Sequence, residues 1–334
     1  MDPKLIECFT CTKCGSPLRA EASSCPRNGG AISKDTEGEL ICASCARRFP
    51  LVRSIPRFVP SEEYAESFGY QWNRFDRLQL DRHMGNDLSR ERFFATTQWP
   101  ARMDGQRILE AGCGMGRFTQ IALETGAEVF SFDLSNAVEA NFRNNGSSSR
   151  AHIFQASIYE IPLRREFFDK IFCMGVLQHC PDVRGAFLSL VPYLRPGGQI
   201  VIDVYRRHTG VFPPLKYWVR PWLTWMGPKR IHKLLSWTIP PAFEVKKALY
   251  KVPVIGRPLA NLIPIGPVSH KPKLDYTDEE LKQVKILSAF DMFSPVHDHP
   301  QTIETVRQWF ADAGLADVFV GTGLNGIHGS GRKS

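Results

Sequence analysis

The chain has 334 residues, 43% hydrophobic and 23% charged, with 42 Lys and Arg against 34 Asp and Glu for a net charge of +8. That balance excludes a disordered chain, and the length allows a large core with one small domain beside it. No uncharged apolar run reaches the ~18 residues of a membrane span, and Met1-Asp2-Pro3-Lys4 does not open a signal peptide. The expected location is therefore cytoplasmic. In that reducing compartment the nine cysteines serve metal binding or burial rather than disulfides.

Residues 1–60 hold six of the nine cysteines. Cys11-Thr12-Lys13-Cys14 and Cys42-Ala43-Ser44-Cys45 are two C-x-x-C knuckles. Two thiolates at this spacing grip one Zn²⁺ from a tight turn, and two such turns complete a tetrahedron. The ligands expected are Cys11, Cys14, Cys42 and Cys45, with Cys8 and Cys25 left over. Four thiolates leave no open position for a substrate, so the zinc would be structural. The 27 intervening residues exceed the usual ribbon spacing, so a loop near Asn28-Gly29-Gly30 must bulge. A redox pair or an empty ribbon is the alternative. Residues 61–105 form a polar, aromatic, helix-prone lead-in, in which Phe68-Gly69-Tyr70-Gln71-Trp72 stands out.

From 106 onward, apolar runs at 106–111, 128–132, 151–155, 168–175, 198–205 and 316–322 alternate with helical stretches at 116–125, 135–144, 182–193 and 301–313. Alternation of this kind implies a parallel sheet covered on both faces. The first run leads into Glu110-Ala111-Gly112-Cys113-Gly114-Met115-Gly116-Arg117. Glycines there let the backbone turn sharply and approach a ligand. A dinucleotide site wants G-x-G-x-x-G. The third glycine's place holds Arg117, and Glu110 would repel a pyrophosphate. Asp133, about 20 residues on, ends the second run, where an acid is placed to hold ribose hydroxyls. Ammonium, ribose and no phosphate describe S-adenosylmethionine better than NAD.

At these residues the chain resembles the class I S-adenosylmethionine (SAM)-dependent methyltransferases, whose first motif reads acid-x-G-x-G-x-G. Phe168-Asp169-Lys170-Ile171-Phe172-Cys173-Met174-Gly175 and the loop Val176-Leu177-Gln178-His179 resemble the fourth strand and the turn after it. Leu194-Arg195-Pro196-Gly197-Gly198 resembles the turn into the fifth. The resemblance implies an α/β fold, a doubly wound and mostly parallel seven-stranded sheet of Rossmann-like methyltransferase type. Its last, antiparallel strand would come from Asn325-Gly326-Ile327-His328. It also implies a cofactor site in which Glu110, Gly112, Cys113, Gly114 and Gly116 hold the methionine part. Asp133 would hold the ribose, Leu134 would lie on the adenine, and Met174 and Gly175 would lie near the methyl donor. The family usually shows an acid after the third strand; here Ser157, followed by Ile158, stands in its place. In similar enzymes a lead-in such as Gln71-Trp72 folds over the cofactor. The run Phe49 to Pro60 resembles the end of the small zinc ribbon that accompanies some methyltransferases.

Methyl transfer from a sulfonium is an in-line displacement that needs alignment above all. A hydroxyl acceptor also needs a base. His179, after the fourth strand, is one choice; His297 and His299, around Asp298, are the others. An Asn/Asp-Pro-Pro-aromatic run, which marks amine substrates, is absent; the loop reads Gln178-His179-Cys180-Pro181-Asp182. The expected reaction is O- (or C-) methylation of a small or carrier-linked metabolite. An RNA or protein methyltransferase is the alternative, and a non-catalytic SAM-fold binding protein is another.

Residues 206–275 interrupt the strand–helix pattern as an insertion. From Tyr205 to Asp275 there are 13 Lys and Arg against two acids, and four of the seven tryptophans. Prolines are expected to break the segment into short helices. A lid gripping a carrier-linked substrate, a peripheral contact with an anionic membrane and, ranked behind these, nucleic acid are the partners that this composition suits.

Overall fold

The computed structural model describes residues 3–22, 38–207, 216–263, 265–266, 268 and 276–334. Cys25 and the Asn28-Gly29-Gly30 loop lie outside the described residues.

Strands β1 (Leu18–Ala22), β2 (Gly38–Cys42), β3 (Arg48–Val52) and β4 (Ile55–Pro56) form an antiparallel sheet in sequence order. A sheet this small cannot bury enough apolar surface by itself. It shares a core with the rest of the chain instead. Phe9 and Phe58 pack against Phe154 at ring separations of 5.2 and 6.1 Å. The Phe58 amide donates to the Gln155 carbonyl at 2.8 Å. Arg57, 7% exposed, donates to Glu139 at 2.9 Å and Gln155 at 3.1 Å. The small sheet therefore covers an edge that would otherwise offer unpaired backbone groups.

The main sheet contains β5 (Arg107–Ala111), β6 (Glu128–Asp133), β7 (Ala151–Gln155), β8 (Phe168–Met174), β9 (Leu194–Val204), β10 (Leu315–Gly323) and β11 (Gly326–Lys333). Their order is β10-β11-β9-β8-β5-β6-β7. Strands β5 to β9 pair in parallel, and β11 is antiparallel to both neighbours. This is the seven-stranded, Rossmann-like methyltransferase sheet, and β11 is the strand expected at Asn325–His328. Residues 108–111 of β5 are all buried, as a strand covered on both faces requires. The strand order reverses between β5 and β8, and the crevice beyond the C-terminal ends of the strands at such a switch point is where ligands bind.

The region after β9 departs from expectation twice. The helix Pro228–Leu249 runs 22 residues straight through Pro240 and Pro241. An interior proline costs about 3 kcal/mol. Burial of Ile231, Leu235, Ile239 and Phe243 along one stripe offsets that, at about 2 kcal/mol for each side chain. Helical structure also continues past 275. Thr277 and Glu280 form a reciprocal capping box that starts the helix Asp278–Phe293, which packs on Pro228–Leu249. The buried residues of Asp278–Phe293 face both that helix and the main cavity, so its apolar positions show no clear helical stripe.

Candidate active site

The turn after β5 is pinned to β6, because the amides of Gly112 and Cys113 both donate to the Phe132 carbonyl at 2.8 and 2.9 Å. Gly112 and Gly114 hold φ of +78° and +52°. A methyl group on Gly112 would collide with Val176, and one on Gly114 would lie 3.0 Å from Trp72 Nε1. Only glycine leaves the turn both its conformation and its open face. Asp133, the last residue of β6, accepts from the Gly114 amide at 3.0 Å and from the amide and hydroxyl of Ser135 at 2.8 and 2.7 Å. Burial raises its carboxyl pKa, and these donors oppose the rise. Glycine turn and acid are thereby one rigid unit.

That unit forms one wall of a cavity of about 340 Å³. The backbone turn at Gly112, Cys113 and Gly114 lines it together with Asp133, Leu134 and Ile158. Gln71 and Trp72, from the helix Glu66–Arg74, are on its wall. Met174, Gly175 and His179 line it as well. Three residues expected to touch a cofactor are not on the wall. Gly116 caps the helix Arg117–Glu124. The Ser157 hydroxyl accepts from the Tyr159 amide at 3.3 Å. Glu110 is 2% exposed, and its carboxylate accepts from the hydroxyls of Thr119 and Ser131, the latter at 2.6 Å. Burial pushes the Glu110 pKa up to about 7. Glu110 is thus held beneath the turn, where it braces β5 against β6 and the following helix.

The wall also carries residues that the sequence reading missed. Arg92, from the helix Leu88–Thr97, pairs with Asp203 at 2.7 Å. Arg117 donates to Gln79 at 2.7 Å, and burial, followed by the Arg92 charge, pushes its pKa down to about 10. It therefore stays cationic near neutral pH. In the sequence Arg117 stands out only as the residue that spoils a dinucleotide motif. Its place in the first turn after the glycines was a usable signal.

A second chamber of about 200 Å³ shares His179, Tyr205, Ser288 and Asp291 with the first. Asp291 accepts from Gln71 Nε2 and from the Tyr205 hydroxyl, each at 3.2 Å. The negative charge of Asp291, and then burial, raise the Tyr205 pKa, so its hydroxyl remains a donor. Arg220 pairs with Asp298 at 2.8 Å and closes the chamber. His179 Nδ1 lies 2.9 Å from the His297 carbonyl oxygen. A carbonyl only accepts, so Nδ1 carries the proton and Nε2 keeps its lone pair. Burial lowers the His179 pKa and favours this neutral form. His297 contributes its carbonyl, while its ring packs edge-on to Tyr64. His299 stacks on His297 and faces a separate surface depression. Neither ring lines the main cavity.

At the N-terminus, Cys11, Cys14, Cys42 and Cys45 place their sulfurs within 4.8 Å of one another. Cys11 Sγ lies 3.6 Å from Cys45 Sγ, and Cys14 Sγ lies 3.4 Å from Cys42 Sγ. A tetrahedron of ~2.3 Å Zn–S bonds has edges of about 3.8 Å. The amides of Ser44 and Cys45 point at Cys42 Sγ at 3.4 Å. The donor set fits zinc.

The sequence family described as "Methyltransferase domain" matches residues 109–202. This chain carries a class I SAM-dependent methyltransferase domain. The domain is 35% identical over 127 residues to the malonyl-[acyl-carrier protein] O-methyltransferase of Enterobacter lignolyticus, covering 38% of this chain and 49% of that protein. It is 27% identical over 126 residues to the ubiquinone biosynthesis O-methyltransferase of Alkalilimnicola ehrlichii, covering 37% and 51%. It is 33% identical over 108 residues to the tRNA U34 carboxymethyltransferase of Idiomarina loihiensis, covering 30% and 33%. The chain spans about half the length, or less, of these curated relatives. The methyltransferase cavity fits SAM on its own chemistry. Asp133, Arg92 and Arg117 line it, and the buried Gln71 Oε1 on its wall has no hydrogen-bond partner among the described residues.

Proposed function

We propose that the whole protein is a SAM-dependent methyltransferase acting on an oxygen (or carbon) of a small or carrier-linked metabolite. The observation that carries this reading is the adjacency of two spaces. A cavity built on Asp133 and the glycine turn shares His179, Tyr205, Ser288 and Asp291 with a smaller chamber. The first suits SAM and the second an acceptor. SAM supplies a methyl group made electrophilic by its sulfonium.

The protein's share is alignment, exclusion of water and proton removal. Asp133 would hold the ribose hydroxyls, and Arg92 and Arg117 would receive the carboxylate. Trp72 and Gln71 would cover the cofactor. A neutral His179, held by the His297 carbonyl, would take the acceptor's proton on Nε2. Tyr205 and Asp291 would position that acceptor. The names of two relatives support an oxygen acceptor. We also propose that Cys11, Cys14, Cys42 and Cys45 hold one structural Zn²⁺.

Incubating the full chain with methyl-tritiated SAM tests the acceptor class. A small-metabolite extract, a malonyl-loaded acyl carrier protein and total RNA are offered separately. Label in either of the first two supports the reading. Label in RNA alone replaces it with the nucleic-acid alternative.

A further inference from the structure

The insertion after β9 leaves many of its apolar side chains uncovered. Of the 17 large hydrophobic residues exposed on the described surface, ten fall between Trp218 and Leu262. On the helix Lys216–Trp225, Trp218, Trp222 and Trp225 follow an i, i+4, i+7 spacing and are 66%, 78% and 87% exposed. That spacing is one stripe of a helix. The opposite side is fixed to the body of the protein. Arg220 is buried there on Asp298, and Leu223 packs against the neighbouring helices. The stripe therefore faces outward. Patches of this kind on a single chain mark contact surfaces.

Charge completes the pattern. Between residues 216 and 263 nine Lys and Arg stand against one acid, Glu244. The resulting +8 equals the net charge of the whole chain. Three of the cations are committed: Arg220 to Asp298, Lys246 to the Ile263 carbonyl and Lys247 to Asp278. Lys229, Arg230 and Lys233 make no ion pair with a described residue. They open the next helix, directly after the tryptophan stripe. Arg230, Lys233 and the exposed Trp237 share the face opposite its buried Ile231–Leu235–Ile239 stripe.

We propose that this insertion docks the protein on an anionic lipid surface, with the tryptophans in the headgroup layer and Lys229, Arg230 and Lys233 on lipid phosphates. Tryptophan favours that layer because its ring is apolar and its N–H is polar. Tryptophan beside lysine and arginine also suits single-stranded RNA. The aliphatic residues decide between the two. Val254, Ile255 and Leu262 are exposed around Arg257. They gain nothing by stacking on bases and gain from the acyl boundary. No described helix is long and apolar enough to cross a membrane, so the contact is interfacial.

The inference is independent of the methyl acceptor and is tested without one. The full chain is sedimented with phosphatidylcholine vesicles, with and without phosphatidylglycerol, and with an RNA oligomer as competitor. The expected result is binding to the anionic vesicles, a blue-shifted tryptophan emission, and weakening at ~0.5 M salt. A K229E/R230E/K233E variant should lower the partition coefficient by ~10²-fold or more. A W222S/W225S variant should also bind less. Unchanged SAM affinity in each variant shows that the protein remains folded. Failure of the wild type to bind anionic vesicles, full binding by the charge-reversal variant, or binding to RNA alone overturns the proposal.

Discussion

The backbone carbonyl of His297 sets the proton position on the ring of His179, 2.9 Å away. The interaction fixes the tautomer of a histidine shared by both chambers, whereas the His297 ring lines neither. Replacing His297 with alanine keeps the carbonyl. H297A should therefore retain most activity, whereas H179A should lose ~10²-fold in turnover with little change in SAM affinity. Equal losses in both variants would contradict this assignment.

The same histidine has a pH signature. Burial lowers its pKa, so the neutral base is present at neutral pH and is lost only below the ordinary value of about 6.5. Its contribution to stability has the same sign: it is present above the unfolded value and lost as pH falls through the folded one. ¹⁵N-labelled histidine spectra should show a protonated Nδ1 and a bare Nε2 at neutral pH. The acid limb of the rate profile should lie below pH 6.5. A limb above it, or the other tautomer, contradicts the account.

Glu110 behaves oppositely. Burial raises its pKa to about 7, so its favourable contribution is full below about 4.5 and fades as pH rises through 7. In the ligand-free protein E110Q should remove that fading. It should gain up to about 3 kcal/mol on the wild type at alkaline pH. Denaturant titrations across pH 5–9 check this. Parallel curves for the two proteins would show that Glu110 is ionised throughout.

Arg220 and Asp298 form a buried pair, 9% and 4% exposed. It ties the helix Lys216–Trp225 to the segment that carries the His297 carbonyl. R220M removes the Arg220 charge from the buried Asp298 and should destabilise the protein by up to about 3–5 kcal/mol, part of which R220M/D298L should restore. A double-mutant cycle in urea measures it. Additive losses would mean that the two charges do not interact.

Much of this architecture was legible in the sequence. Glycine positions and strand-end acids carry strong local signals, so the turn at Gly112–Gly116 and Asp133 followed from spacing, while the seven-stranded sheet followed from the family resemblance and its strand order only from the fold. Gln71 and Trp72 were visible as an aromatic cluster ahead of the sheet. Asp291 and Tyr205 were not, because 86 residues separate two groups that only the folded insertion brings together. The position of Glu110 at the strand end is legible in the sequence, but its side-chain direction is not. Thr119 and Ser131 turn it inward. Pro240 and Pro241 misled in the other direction, because the local rule yielded to four buried side chains on one stripe.

The zinc proposal is checked by metal analysis of protein purified without chelator, which should give one zinc per chain. C42S should lose the metal and loosen β1 to β4, and, through Phe9, Phe58 and Phe154, the β7 edge as well. Metal-free protein with an intact N-terminal sheet would remove the proposal.

The central claim is that the cavity at Asp133 binds SAM. Isothermal titration of the full chain with SAM, and separately with NAD, tests it most directly. The account predicts saturable SAM binding that D133A weakens by at least ~10-fold through loss of the charge-assisted ribose hydrogen bonds, and no NAD binding. Binding of NAD without SAM, or SAM binding untouched by D133A, would contradict it.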